Sequence, residues 1–188
     1  MKRIQLKRKI SQRIATGHPW IFINEVEKIE GAPEPGDIVE VYFHDGKFAG
    51  KGYYNAQSQI VVRLLTTDNR QAINEDFFLQ KIKECWAYRQ SIGYTENCRL
   101  VFGEADGLPQ LIIDKFNDYF VVQTLALGID AWKPALVKAL QSIFTPKGIF
   151  ERNDVPVREL EGMPQQKGFL SEPFDTKITI VENGLKFY

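Results

Sequence analysis

Three carboxylates, Glu104, Asp106 and Asp114, stand close together and could form an acid–base set of the kind that hydrolyses glycosides. The same stretch, Glu104-Ala105-Asp106-Gly107-Leu108-Pro109, is also what a turn is made of, with Asp bonding the backbone ahead of it. Cys85 and Cys98 are the only thiols; Cys85 falls on an apolar helical stripe, where a free cysteine is usually inert. His18 could exchange protons, yet between Gly17 and Pro19-Trp20 it is equally placed to order a loop. Arg152 and Arg158, in a charged loop around Asp154 and Pro156, could fork onto phosphates or pair with the acids beside them. No P-loop, dinucleotide-binding glycine motif or Gly-x-Ser-x-Gly elbow occurs. With two cysteines and two histidines, no metal-ligand spacing occurs either.

The elements that would position these residues divide the chain. At 188 residues it holds one or two ordinary cores, and 44% hydrophobic with 26% charged residues is normal globular usage. Formal charge is zero, which excludes a uniformly basic coat but not a local patch. Residues 1–70 carry eleven basic and eight acidic side chains; residues 71–188 carry thirteen and sixteen. Six of the basic ones (Lys2, Arg3, Lys7, Arg8, Lys9 and Arg13) crowd the first thirteen residues, which contain no acid. Such an arm suits phosphate, though a solvated strand has the same look. No apolar run reaches the roughly 18 residues that span a bilayer, and no signal-peptide stretch follows the N-terminus, so the reading is a cytoplasmic protein without a membrane partner.

Up to about Arg70 short alternating runs separated by turns predict a small all-β barrel, with a type I′ hairpin at Asp45-Gly46. Asn74 to Gly93 switches to helical period, with Phe78, Leu79, Ile82, Cys85, Trp86, Arg89 and Ile92 on one stripe and Asn74 as the cap. Strands at 99–102, 111–114 and 119–125, a helix at 131–144 and strands at 148–151 and 177–181 predict a compact α+β unit. The fold class is therefore α+β overall. Its boundaries are 1–70 for the barrel, 71–93 for a linking helix, 94–182 for the central unit, and 183–188 for the start of something further.

Several separated motifs, in order, resemble one family. They are Gly17-His18-Pro19-Trp20, Pro35-Gly36-Asp37, Phe48-Ala49-Gly50-Lys51-Gly52-Tyr53-Tyr54 with Val62-Arg63, Glu104-Ala105-Asp106-Gly107-Leu108-Pro109-Gln110-Leu111, Glu151-Arg152-x-Asp154 with Arg158-x-x-Glu161-Gly162, and Asn183-Gly184-Leu185-Lys186-Phe187. Together they resemble the 23S rRNA cytosine-C5 methyltransferases that open with a PUA domain and use S-adenosylmethionine. In that family a thiolate attacks cytosine C6, the methyl group passes to C5, and elimination follows.

The resemblance implies RNA, specifically 23S rRNA, as partner and rRNA processing as the setting. It also implies that the chain is cut before the doubly wound domain carrying cofactor loop and cysteine nucleophile. No catalytic, cofactor-binding or metal residue is then expected here, and S-adenosylmethionine belongs to a full-length parent. The RNA-binding set implied is Lys7, Arg8, Lys9, Arg13, Lys51, Arg63, Arg152 and Arg158, which would hold backbone while loops handle unpaired bases. Against a cofactor site stands only one glycine, Gly128, before the helix at 131–144; Glu151, after the next strand, points the other way. Two other classes remain: a protein-interaction module with an acidic docking surface, and a small hydrolase using Glu104, Asp106 and Asp114. The oligomeric state is open, a homodimer included.

Overall fold

The change of period at Asn74 separates two sheets in the computed structural model, which describes residues 2–182 and 184–187. The first sheet contains β1 (Arg3–Leu6), β2 (Trp20–Phe22), β3 (Val26–Glu30), β4 (Ile38–Tyr42), β5 (Phe48–Tyr54) and β6 (Ile60–Thr66) in the order β2-β6-β5-β4-β1-β3. Its outer strands β2 and β3 are consecutive, joined by one 3-10 turn at Ile23–Glu25, so the sheet curls until its edges meet at a corner. Ile4, Leu6, Ile21, Val39, Val41, Val61 and Val62 fill the inside with no exposed surface. A short helix, α1 (Gln12–Ala15), lies between β1 and β2. Gly52 is required where β5 crosses β6, because a Cβ there would stand 2.0 Å from the Arg63 carbonyl oxygen.

The β4–β5 hairpin forms where expected but not as a two-residue I′ loop. Phe43 N donates to Lys47 O and Gly46 N to Phe43 O, and in this loop only Gly46 has positive φ (82°). That is a type I turn closed by a left-handed glycine, and the register slips between Val41 and Tyr42.

The second sheet has helices on one face. Asn74 caps α2 (Glu75–Ser91) by accepting from Phe77 N at 2.9 Å, and Phe77, Phe78, Ile82 and Cys85 are its buried face. Ile92 lies just past the helix and is exposed, so the stripe ends one turn sooner than its sequence period suggests. Next come β7 (Asn97–Phe102), β8 (Leu111–Phe116) and β9 (Tyr119–Thr124), then α3 (Leu127–Asp130), α4 (Lys133–Phe144) and β10 (Gly148–Asn153). Pro134 sits in the first turn of α4, where its missing N–H costs nothing. After α5 (Val157–Leu160), β11 (Gln166–Phe169) completes the order β11-β10-β9-β8-β7, with only β9 and β10 parallel. The last strand expected in this sheet, at 177–181, is not part of it. Ile180–Glu182 (β12) pairs instead with β13 (Leu185–Phe187), and the outer place is taken by β11. Of the expected further segment at 183–188, residues 183 and 188 lie outside the described residues.

Buried contacts lock the two sheets together. Strand β6 is buried on both sides: Val62 and Leu64 face the first core, while Leu65 joins the second. Tyr53 also belongs to the second core; its hydroxyl donates to Pro109 O, and burial pushes its phenol well above the ordinary range. A Cβ at Gly128 would stand 2.2 Å from the Tyr53 ring, so the start of α3 needs glycine to seat against β5. Trp20 Nε1 donates to Glu104 Oε1 at 2.8 Å.

The polar centre of this junction is Glu161, 3% exposed, just after α5. It accepts from Arg63 Nη2 (2.7 Å) and Nη1 (3.2 Å), Ser58 Oγ (2.6 Å) and Asn55 Nδ2 (3.1 Å), all from the first sheet's β5–β6 region. A second polar knot holds α5 to its own sheet. Arg158, 1% exposed, donates to Thr124 O, to Asp130 Oδ1 (2.9 Å) and to Pro164 O (2.9 Å). Burial works against the Asp130 charge, but hydrogen bonds from Thr124, Arg158 and Lys133 outweigh it and hold the carboxyl below the usual aspartate range.

Two measurements follow from this junction. Glu161→Ala strands a buried guanidinium and is expected to cost about 3–5 kcal/mol by urea unfolding, part of which the double change Arg63→Met with Glu161→Leu recovers. An unchanged midpoint for the single variant would remove the junction from the stability argument. For Asp130 the folded pKa lies below the unfolded value of about 3.9, so its contribution is full above that pH and is lost as pH falls through the lowered folded value. The urea midpoint should therefore drop more steeply below about pH 4 in the native chain than in Asp130→Asn, and parallel acid profiles would contradict it.

Candidate nucleic-acid interface

Lys7, Arg8 and Lys9 occupy the turn between β1 and α1, and all three are exposed. The turn is exposed but not loose, because a buried carboxylate anchors it. Glu25 accepts from Ser11 N (3.2 Å), Arg13 Nη2 (3.0 Å) and Phe22 N (2.9 Å), and its own carbonyl accepts from Lys7 N (2.9 Å). The basic triad is thus held at the corner where β2 and β3 meet. Lys7 Nζ reaches back to Asn24 O at 2.8 Å, while Arg8 and Lys9 make no ion pair among the described residues. A fixed loop with free cations is what a polyanion can neutralise without first ordering it.

The rest of the arm is committed internally. Lys2 pairs with Asp37, and Arg3 stacks over the Tyr42 ring at 3.7 Å. Arg13, bound to Glu25, also lies over Phe22 at 4.4 Å, half-buried, so it supports the triad more than it extends it. Lys51 donates to Asn69 O (2.7 Å) and Gln71 O (3.2 Å), tying down the connection between the sheets.

Two expected RNA contacts need correction. Arg63 and Arg158 are 4% and 1% exposed, and their guanidinium groups are spent on Glu161 and on Thr124, Asp130 and Pro164. A phosphate could reach neither without breaking the core. Sequence reading missed Glu161 as the partner of Arg63, since nothing local relates positions 98 residues apart. Arg152 does stay on the surface, paired with Asp154 at 2.9 Å, an arrangement that raises the one pKa and lowers the other.

His18 orders its loop: its Nδ1 accepts from Trp20 N (3.2 Å), and its ring stands edge-on to Trp20. The three carboxylates of the hydrolase reading are not brought together as an acid–base set. Glu104 holds Trp20 and Gln110, Asp106 holds Arg89 and Phe102 N, and Asp114 is bound bidentately by Arg99. Cys85 is buried, and that burial pushes its thiol up to about 11, the wrong direction for a nucleophile. The two features that touched on a cofactor have other uses. Gly128 packs on Tyr53, and Glu151 pairs with Lys133 at 2.7 Å and accepts from Asn153 at 2.9 Å. Among the described residues no helix is long and apolar enough to cross a membrane.

With this geometry in place, comparison with known proteins adds the following. Residues 4–67 match the PUA-like domain family. The chain is 40% identical over 174 residues to the ribosomal RNA large subunit methyltransferase I of Aliivibrio fischeri strain MJ11, covering 90% of this chain and 44% of that protein. It is 39% identical over 189 residues to the protein of the same description from Shewanella amazonensis, covering 98% and 48%. A candidate SAM-dependent methyltransferase from Streptococcus mutans superposes with a TM-score of 0.78 at 15% identity, covering all of this chain and 48% of the other. A candidate methyltransferase solved with SAH gives 0.79 at 15% identity, covering all of this chain and 47% of the other. The structural likeness is one of fold. The chain spans about half the length of the curated relatives it matches, and along that span it is an α+β protein with a PUA-like domain, homologous to rRNA large subunit methyltransferases.

Proposed function

We propose that this chain is the RNA-recognition and positioning portion of a cytoplasmic, S-adenosylmethionine-dependent rRNA (cytosine-C5) methyltransferase, with 23S rRNA as substrate. The observation that carries the reading is the exposed Lys7-Arg8-Lys9 turn, pinned by Glu25 inside a PUA-like domain. Homology to rRNA methyltransferases over nearly the whole chain supports it. In this reading residues 1–70 hold the RNA, 71–93 link, and 94–182 set distance and angle. The buried Glu161 junction gives that spacing its rigidity, since two sheets joined through a buried, bidentate ion pair and Tyr53 move as one piece. Methyl transfer itself is assigned to no residue here.

The salt dependence of binding to a structured RNA tests the role of the turn. Each phosphate contact contributes roughly 0.7–0.9 to the slope of log K against log salt, so replacing Lys7, Arg8 and Lys9 with Ala is expected to flatten it by about two. Affinity of the native chain should be no better than about micromolar at physiological salt. An unchanged slope would take the turn out of the interface. Calorimetry with S-adenosylmethionine on residues 1–188 is expected to give no saturable heat, and saturation at micromolar concentration would show that a cofactor site has been overlooked.

A further inference from the structure

The helix-free face of the second sheet has no part in the junction or in the basic turn. Alternation along β8, β9 and β10 sends Ile113, Phe120, Val122 and Ile149 to the helices and the intervening residues to the other side. There an open groove of about 700 Å³ runs over Val121, Gln123 and Phe150, with Arg152 and Lys167 on its wall. Phe174 closes one end by packing on Tyr119 at 5.0 Å and on Phe169 at 5.2 Å.

Two cross-strand pairs define the chemistry. Phe150 lies opposite Phe169 on β11, edge to face at 5.0 Å, and Arg152 lies opposite Lys167. Like charges directly opposite on antiparallel strands ordinarily destabilise the pairing. Arg152 is relieved by Asp154, whereas Lys167 is exposed and forms no ion pair among the described residues. The groove's other acid, Asp114, is neutralised by Arg99. The surface thus offers aromatic faces with a basic pair two residues along the same strands, about 6.6 Å away. One nucleotide bridges such a span between its base and its phosphate.

We propose that this groove binds the unpaired bases of an RNA strand, with Phe150 as stacking platform and Arg152 and Lys167 as phosphate clamp. Aromatic stacking on an open sheet face accepts any base, because every base has a π-face. The proposal rests on the RNA-recognition reading above but concerns a different surface, in the other sheet, from the Lys7–Lys9 turn.

The test uses the 188-residue chain with two probes: a fluorescent ten-nucleotide single-stranded RNA carrying 4-thiouridine, and a blunt RNA duplex. Phe150→Leu and Lys167→Gln are expected to weaken the single strand by roughly tenfold each and the duplex by less than twofold, with photo-crosslinks falling on β9 to β11. Lys167→Gln changes an exposed side chain, so it reads out even where Phe150→Leu unfolds. If both variants bind the single strand as the native chain does, while the Lys7/Arg8/Lys9 variant weakens both probes, the groove is overturned and the RNA reading stands. If the native chain binds neither probe, the RNA reading itself falls and takes the groove with it. If sedimentation shows a dimer that Phe150→Leu dissociates with RNA binding unchanged, the face belongs to a second copy and the groove proposal is wrong.

Discussion

A carboxylate taken out of water must have its charge answered in full, and Glu161 meets that requirement only with groups from the other sheet. Arg63, Ser58 and Asn55 supply the donors, and none of them lies within ninety residues of it in the chain. Desolvating both charges costs several kcal/mol per ion, so the pair is tolerable only with its geometry complete. A slip of one sheet on the other too small to admit water would stretch these bonds with nothing to replace them. The relative placement of the PUA-like and α+β parts is therefore rigid for an electrostatic reason, reinforced by the apolar seating of Tyr53 against Gly128.

The same logic sorts the basic residues. Twenty-four lysines and arginines are balanced by as many acids, yet the balance is local and not uniform. Where an acid is buried, as at Glu25 and Glu161, or partly buried, as at Asp130, it recruits a cation and uses its charge internally. Where the chain turns outward between β1 and α1, no acid is near in sequence and the cations stay available. Glu25 links the two situations: it consumes Arg13 and by doing so holds the turn that presents Arg8 and Lys9. Backbone amides of the turn end on a rigid corner, so the exposed charges have fixed positions without forming an extended patch.

Sheet geometry decides the remaining surface. With α2 and α4 on one face, the five-stranded sheet keeps its apolar residues there, and strict alternation leaves the opposite face mixed. A sheet that is antiparallel except between β9 and β10 tolerates this, one side packed and the other open. The segment around Phe174 covers one end of the open side and packs on Phe169, leaving Phe150 and the basic side chains in register along the groove.

Much of this was legible in the residues alone. Asn74 with Glu75 and Asp76, followed by Phe78, Ile82 and Cys85, determines a capped helix locally, and the helix is found at Glu75–Ser91. Alternation in 38–42 and 60–66 determines strands, and Gly46 determines a turn, because these are properties of neighbours in the chain. What the residues could not carry is partnership at long range. β11 went unread because Gln166, Lys167 and Gly168 have no strand signature; its place comes from hydrogen bonding to β10. Arg63 and Arg158 look like surface cations in any local window. Only the tertiary structure, by bringing Glu161 beside one and Asp130 and the Thr124 carbonyl beside the other, makes both of them interior residues.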